Sequence, residues 1–197
     1  MPRSQRREQL LESAQSAFVE LGYHGAAMDD IAVRAGVSKP VLYQHFPGKL
    51  ELYLALLDKH CEALESLVRE ALASTSDNKE RVYSTVAAYF NFVAQDGAAF
   101  RLIFESDLTN ESAVRNRLDT IGLTCAEAIG EVISADTGLE EERALLLGMF
   151  LVGGAQTAAR NWLAQGASIP RAEAAAVAGH LAWRGIGGGF PKNELGG

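Results

Sequence analysis

Two short helices joined by a tight, fixed turn leave few alternatives for the surrounding fold, and residues 28–46 carry the pattern for one. The first helix must be small where the second crosses it, and Ala32 meets that need. The turn must accept a positive φ, which Gly36 does without steric cost. Ser38 is placed to cap the second helix by accepting from its free N–H groups. Pro40 fits a first helical turn, where a missing N–H is harmless. Ile31, Ala35, Val37 and Leu42 supply buried positions around these residues. The joint spacing is far more specific than any single residue, and it predicts a helix-turn-helix.

Such a motif sends its second helix into the major groove with its N-terminal residues at base edges. On a helix from Lys39 to about Phe46, residues Lys39, Pro40, Val41 and Gln44 face outward. Lys39 can donate to guanine O6 and N7, and Gln44 can pair with adenine N6 and N7. Val41 can touch a thymine methyl. Tyr43, His45 and Lys49 fit phosphate contacts, which position a protein without reading sequence. Lys49 also opens a helix, whose first amides favour an anion. Each residue has an ordinary alternative: Tyr43 as a core aromatic, His45 as a satisfied surface histidine, the lysines as solvated charges. Arg3, Arg6 and Arg7 are either a solvated terminus or an arm that reaches DNA.

The run Gly22-Tyr23, Met28 to Ala32, Ala35 to Phe46 and Lys49 resembles the TetR family of bacterial repressors. The resemblance spans roughly residues 5–55. It implies a three-helix DNA-binding head and a C-terminal helical domain that binds a small molecule and dimerises. It also implies a cytoplasmic, ligand-responsive repressor bound to a palindromic operator. Two departures stand out. The family usually has Ser or Thr where this chain has Ala27, which can neither cap a helix nor touch phosphate. Before Lys49 the family often has Ser, Asp or Asn; Gly48 stands there, a permissible cap.

The net charge of −7 argues by itself against a nucleic-acid binder, but its distribution does not. Residues 1–50 hold six Lys/Arg against five Asp/Glu, or +1; the remainder holds twelve against twenty, or −8. An acidic body behind a neutral-to-basic head is compatible with DNA binding through the head alone. Cys61 and Cys125 lack the spacing of a zinc site or a CxxC motif and fit free thiols in a reducing cytoplasm. Residues 1–9 are polar and basic with no apolar run behind them, which predicts no secretory signal. Ala144–Ala159 is uncharged but too short to span a bilayer, so a buried or interface helix is expected there.

Helical periodicity runs through the rest, and the fold class expected is all-α. Leu11, Ala14, Phe18 and Leu21 give one apolar face, and Gly22 breaks that helix. A long helix follows with Leu50, Tyr53, Leu57, Cys61, Leu64, Val68 and Leu72 in one stripe. Asp77 with Glu80, and Thr137 with Glu140, look like capping boxes for later helices. A short aromatic helix is expected around Phe100–Phe104, and Pro170 suits the first turn of a last helix. The domain division expected is 1–48 for the helix-turn-helix domain, 49–186 for effector binding and dimerisation, and 187–197 for a Gly-rich flexible tail.

In the body, Tyr83, Tyr89, Phe90, Phe92, Phe100, Phe104, Phe150 and Trp162 offer aromatic surface for an apolar pocket, with Phe90, Phe104 and Phe150 singled out as its lining and Gln156 to orient a ligand there. An apolar or amphipathic effector is preferred over a charged one. The small residues Gly148, Gly153, Gly154, Ala155, Ala158 and Ala159 would let helices of two copies approach closely in a homodimer. His60, Cys61 and Glu62 are adjacent and so do not share a helix face, which argues against a metal. No cofactor, membrane span or catalytic constellation is expected. The alternative functions are an effector-independent activator or architectural DNA-binding protein and, in a different class, an enzyme on a helical scaffold.

Overall fold

A computed structural model of the chain describes residues 2–95, 108 and 110–187. All regular structure among them is helical. Eight helices are seen: α1 Arg3–Gly25, α2 Met28–Arg34, α3 Lys39–His45, α4 Lys49–Ala73, α5 Asn78–Gln95, α6 Ser112–Thr137, α7 Glu141–Ala164 and α8 Arg171–Gly187. The expected helix at Phe100–Phe104 and all but the first residue of the expected tail lie outside the described residues.

The described residues form two compact units, one of 2–62, 108 and 110–118, the other of 63–95 and 119–187. The first unit runs past residue 48 because the start of α4 is built into its core. Leu52, Tyr53, Leu56 and Leu57 are all buried. Within it, α2 packs on α1 and α3. Gly22 interrupts α1 with φ 71° and ψ 168°, a conformation that a side chain resists. The kink is held by an aromatic trio. Phe18 and Tyr53 meet edge to face at 5.3 Å, Tyr23 and Tyr53 at the same distance, and Phe18 stacks on Tyr23 at 5.8 Å. His60 is buried, with Nε2 3.1 Å from Gln15 Oε1.

In the second unit α5 packs on α7 and α8. A Cβ on Gly148 of α7 would stand 2.2 Å from the Ala126 carbonyl oxygen, so α6 and α7 cross where only glycine fits. Of the small residues on α7, Gly148, Ala155 and Ala159 are buried within the chain, whereas Gly153 and Gly154 are exposed. The cap expectations divide. Asp77 Oδ1 accepts from the Glu80 N–H at 2.9 Å, as a capping box requires. Thr137 instead ends α6: its hydroxyl donates to the Ile133 carbonyl and accepts from the Leu139 N–H, and Glu140 caps α7. A threonine that satisfies the preceding helix is unavailable to the next. Pro170 lies just ahead of α8, its carbonyl accepting from the Ala174 N–H.

Candidate nucleic-acid interface and effector cavity

The turn between α2 and α3 follows from its residues. Ala32 and Ala35 are buried, and Gly36 has φ 63°. The Gly36 N–H donates to the Val33 carbonyl and the Val37 N–H to the Ala32 carbonyl, both at 3.0 Å. From α1, Gln9 donates its amide to the Ala35 carbonyl at 2.8 Å, satisfying an acceptor at the end of α2. Ser38 occupies the N-cap of α3, but through its backbone: its carbonyl accepts from the Val41 and Leu42 N–H groups, and its hydroxyl does not cap. Ala27 stands at the N-cap position of α2 and, as expected of alanine, makes no side-chain cap; only its carbonyl accepts, from the Ile31 N–H.

Leu42 is fully buried and Phe46 nearly so, which fixes the rotation of α3. Lys39, Pro40, Tyr43 and Gln44 are consequently exposed together, with Val41 and His45 half-buried. The Lys39 ammonium donates to the Asp29 carboxylate in an exposed ion pair, which holds its pKa above the usual lysine range. Such a pair is worth little in water and is readily exchanged for another acceptor. Lys49 faces elsewhere. Its Nζ donates to the Tyr23 and Ala26 carbonyls at 2.8 and 3.0 Å and lies 4.5 Å from the Tyr23 ring centre. It thus closes the C-terminal end of α1, where a cation suits the helix dipole.

The N-terminal arginines belong to α1 rather than to a loose arm. Arg7 lies over the Phe46 ring at 4.4 Å, and Arg6 donates to Gln9 Oε1 at 2.7 Å. Partial burial lowers the His45 pKa, and the charges of Arg3, Arg7 and Arg6 lower it further. The end of α3 therefore sits in a positive field that the spacing of three separate arginines did not reveal.

The second unit contains a cavity of about 180 Å³, lined by α5 (Val82, Thr85, Val86, Tyr89), α6 (Ile129, Ile133, Asp136), Leu151, Ala155 and Trp183. The described effector candidates singled out from sequence lie off it. Phe90 is buried against Trp162, ring centres 5.7 Å apart; Phe150 is 78% exposed; Gln156 is half-buried. Phe104 lies outside the described residues. In each described case an adjacent residue faces the cavity instead: Tyr89 before Phe90, Leu151 after Phe150 and Ala155 before Gln156. One residue on a helix is a rotation of about 100°, enough to turn a side chain off the wall. Of the wider set of aromatics that the sequence offers, Tyr89 does line the cavity, and with it Thr85, which the sequence did not single out, at i, i+4 on α5. Their buried hydroxyls find no partner among the described residues. Each such group costs about 1–3 kcal/mol. Burial pushes the Tyr89 phenol pKa up, and the buried Cys125 thiol is its neighbour.

A second surface of this unit is bare. Leu146, Met149 and Phe150 on α7, and Val177 and Leu181 on α8, are large apolar side chains left exposed. No cluster of metal-ligating side chains is found, and no helix is long and apolar enough to cross a membrane, among the described residues.

The comparisons with known proteins fall on this geometry. Residues 10–56 match the family model for bacterial regulatory proteins of the tetR family. The chain is 45% identical to the HTH-type transcriptional activator FasR of Mycolicibacterium smegmatis, over 94% of this chain and 85% of that protein. The chain belongs to the TetR family. It is a transcriptional regulator, not an enzyme. Among solved TetR-like structures, a regulator from Rhodococcus sp. RHA1 superposes with TM-score 0.71 at 26% identity, over 96% of this chain and all of that one. The Bacillus subtilis regulator FadR, solved with stearoyl-CoA, has the same fold: TM-score 0.73 at 18% identity, over 91% of this chain and 98% of that one.

Proposed function

We propose that this TetR-family chain is a cytoplasmic, ligand-controlled repressor that binds a palindromic operator as a homodimer. The observation that carries the DNA part is the exposed face of α3. Lys39, Pro40 and Gln44 meet base edges, with Val41 at their margin, and Tyr43 and His45 approach phosphates, aided by the arginines of α1. Lys49 acts at one remove, by fixing the end of α1. Residues 1–48 supply the reading surface and 49–186 the effector and dimer surfaces. The bare apolar face of α7 and α8 supports the dimer, since a contiguous exposed patch of large apolar side chains marks an interaction surface. Two-fold symmetry then asks for half-sites about 34–36 Å apart, or a multiple.

The effector is apolar or amphipathic and enters the cavity of the second unit; the stearoyl-CoA held by B. subtilis FadR supports this class. Leu52 and Leu56 of α4 are buried in the first unit and Leu72 of the same helix lines the cavity, so α4 carries the change of state. The ligand moves the equilibrium only by its differential affinity for the two states. A second reading, activation from the bound site, is favoured by the name of the M. smegmatis relative.

Selection from random duplex DNA at about 100–150 mM salt, where nonspecific phosphate binding is weakened, tests the first claim. Enrichment of an inverted repeat supports it, and no enrichment by folded dimer overturns it. A reporter carrying the selected site then decides the sign: output that rises on deleting the regulator means repression, and output that falls means activation.

A further inference from the structure

The cavity narrows the chemistry of the effector, an inference that rests on the reading above. Thr85 and Tyr89 stand one turn apart on one face of α5 and both line the cavity. They are 7% and 2% exposed. A helical threonine commonly turns its hydroxyl back to the carbonyl four residues earlier; Thr85 does not, and it meets no other partner among the described residues. The Tyr89 hydroxyl likewise meets the hydrogen-bond geometry of no partner among the described residues, and its polar neighbour is the Cys125 thiol, a weak partner. Each can donate one proton and accept another.

The charges on the described wall are already matched. Arg81 Nη1 donates to Asp136 Oδ2 and to Asn78 Oδ1, both at 2.9 Å, and its Nε donates to the Thr75 carbonyl at 2.8 Å. A buried carboxylate or phosphate would find no spare cation there. The remaining wall is mostly aliphatic: Leu72, Val82, Val86, Ile129, Ile133 and Leu151. At about 180 Å³ the space somewhat exceeds the roughly 150 Å³ that holds a benzene molecule in an engineered apolar cavity.

We propose that the cavity binds a neutral, largely apolar molecule, or the neutral apolar segment of a larger one, through one uncharged hydroxyl or carbonyl oxygen hydrogen-bonded to Thr85 and Tyr89. Charged ends stay outside it.

Titration calorimetry of the full chain with phenol and with toluene, which differ by one hydroxyl, tests this. In the double variant Thr85→Val, Tyr89→Phe the phenol Kd rises about tenfold, the size of one lost hydrogen bond, while the toluene Kd stays or falls. Should the double variant not fold, Tyr89→Phe alone carries the test, with a rise of about threefold on the same reasoning. Equal weakening of both probes, or no binding of either to the wild type at millimolar concentration, overturns the proposal. Operator binding measured alongside separates the two readings. Phenol that binds as described yet leaves operator affinity unchanged sinks ligand control by this probe class and leaves the pocket chemistry standing. Intact operator binding with no phenol binding sinks the pocket chemistry alone.

Discussion

In the first unit Lys49 fills two carbonyls at the end of α1 and Gln9 fills another at the end of α2. In the second unit two buried hydroxyls face a cavity and large apolar side chains on α7 and α8 face solvent. Among the described residues the head leaves no buried side-chain polar atom unmatched, and its α3 presents exposed donors at Lys39 and Gln44. The body has left needs open, both inside and on its surface. A rigid reader and a receptive body are what a regulated DNA-binding protein requires. A reading face must hold its geometry, while a ligand shifts an equilibrium only where it satisfies something unmet.

The contrast can be tested by substitutions, the largest effect first. Gly148→Ala forces a Cβ onto the Ala126 carbonyl and is expected to cost about 3 kcal/mol in urea unfolding. Gly153→Ala, five residues along the same helix with open space around it, should stabilise by about 0.5–1 kcal/mol. Equal effects would mean that α6 and α7 are not in close contact. Next, the double substitution Phe150→Glu, Leu181→Glu should weaken self-association at least about a hundredfold in sedimentation, or about 2.7 kcal/mol, while the melting of the monomer is unchanged. A variant that remains dimeric would put the two-fold interface elsewhere.

Within the head, Lys49→Met should cost about 2 kcal/mol, because it strips donors from two carbonyls. Lys39→Met, which breaks only an exposed pair, should change stability by less than about 0.5 kcal/mol and weaken operator binding instead. A reversed order would undo the assignment of one lysine to structure and the other to DNA. In the body, Tyr89→Phe should raise the stability of the unliganded chain by up to about 1 kcal/mol, since it removes an unsatisfied hydroxyl. A loss of stability would show that the phenol is satisfied after all.

The smallest expected effect is on pH. Burial and three arginines hold the His45 pKa below 6.5, so the unfolded chain binds this proton more readily than the folded one. The stability cost is absent well above pH 6.5 and grows as pH falls below it. DNA phosphate offsets the arginines and raises this pKa, so operator affinity should increase a few-fold between pH 7.5 and 6, and His45→Gln should abolish the increase.

The head was legible because its turn makes demands that single residue types meet. Gly36 supplies the positive φ, Ala32 the close crossing, and Leu42 the rotation of α3. The eight described helices were legible from period together with turn, cap and proline signals, several with their ends. What escaped was direction. Lys49 is a long side chain at the first position of a helix, and sequence does not say whether it turns to solvent or back to α1. In the body the helices were placed, but each described effector candidate fell one residue to one side or the other of a residue of the cavity wall. The choice favoured aromatic size, whereas rotation about the helix axis decides which residue lines a wall. Thr85 and Tyr89 carry a usable signal, two hydroxyls at i, i+4 on one face of α5; counted by size, Tyr89 is only one aromatic among several, and Thr85 is not weighed.

Lys49 also has a consequence for modularity. Heads of such regulators invite exchange, one operator preference grafted onto another body. A seam after residue 48 would part the ammonium from the carbonyls of Tyr23 and Ala26, and Tyr53 from the rings of Phe18 and Tyr23. The graft would then depend on the recipient offering the same lysine and tyrosine. A seam beyond His60, which keeps its Gln15 partner as well, carries the whole arrangement in one piece. The portable reader is longer than the motif that reads.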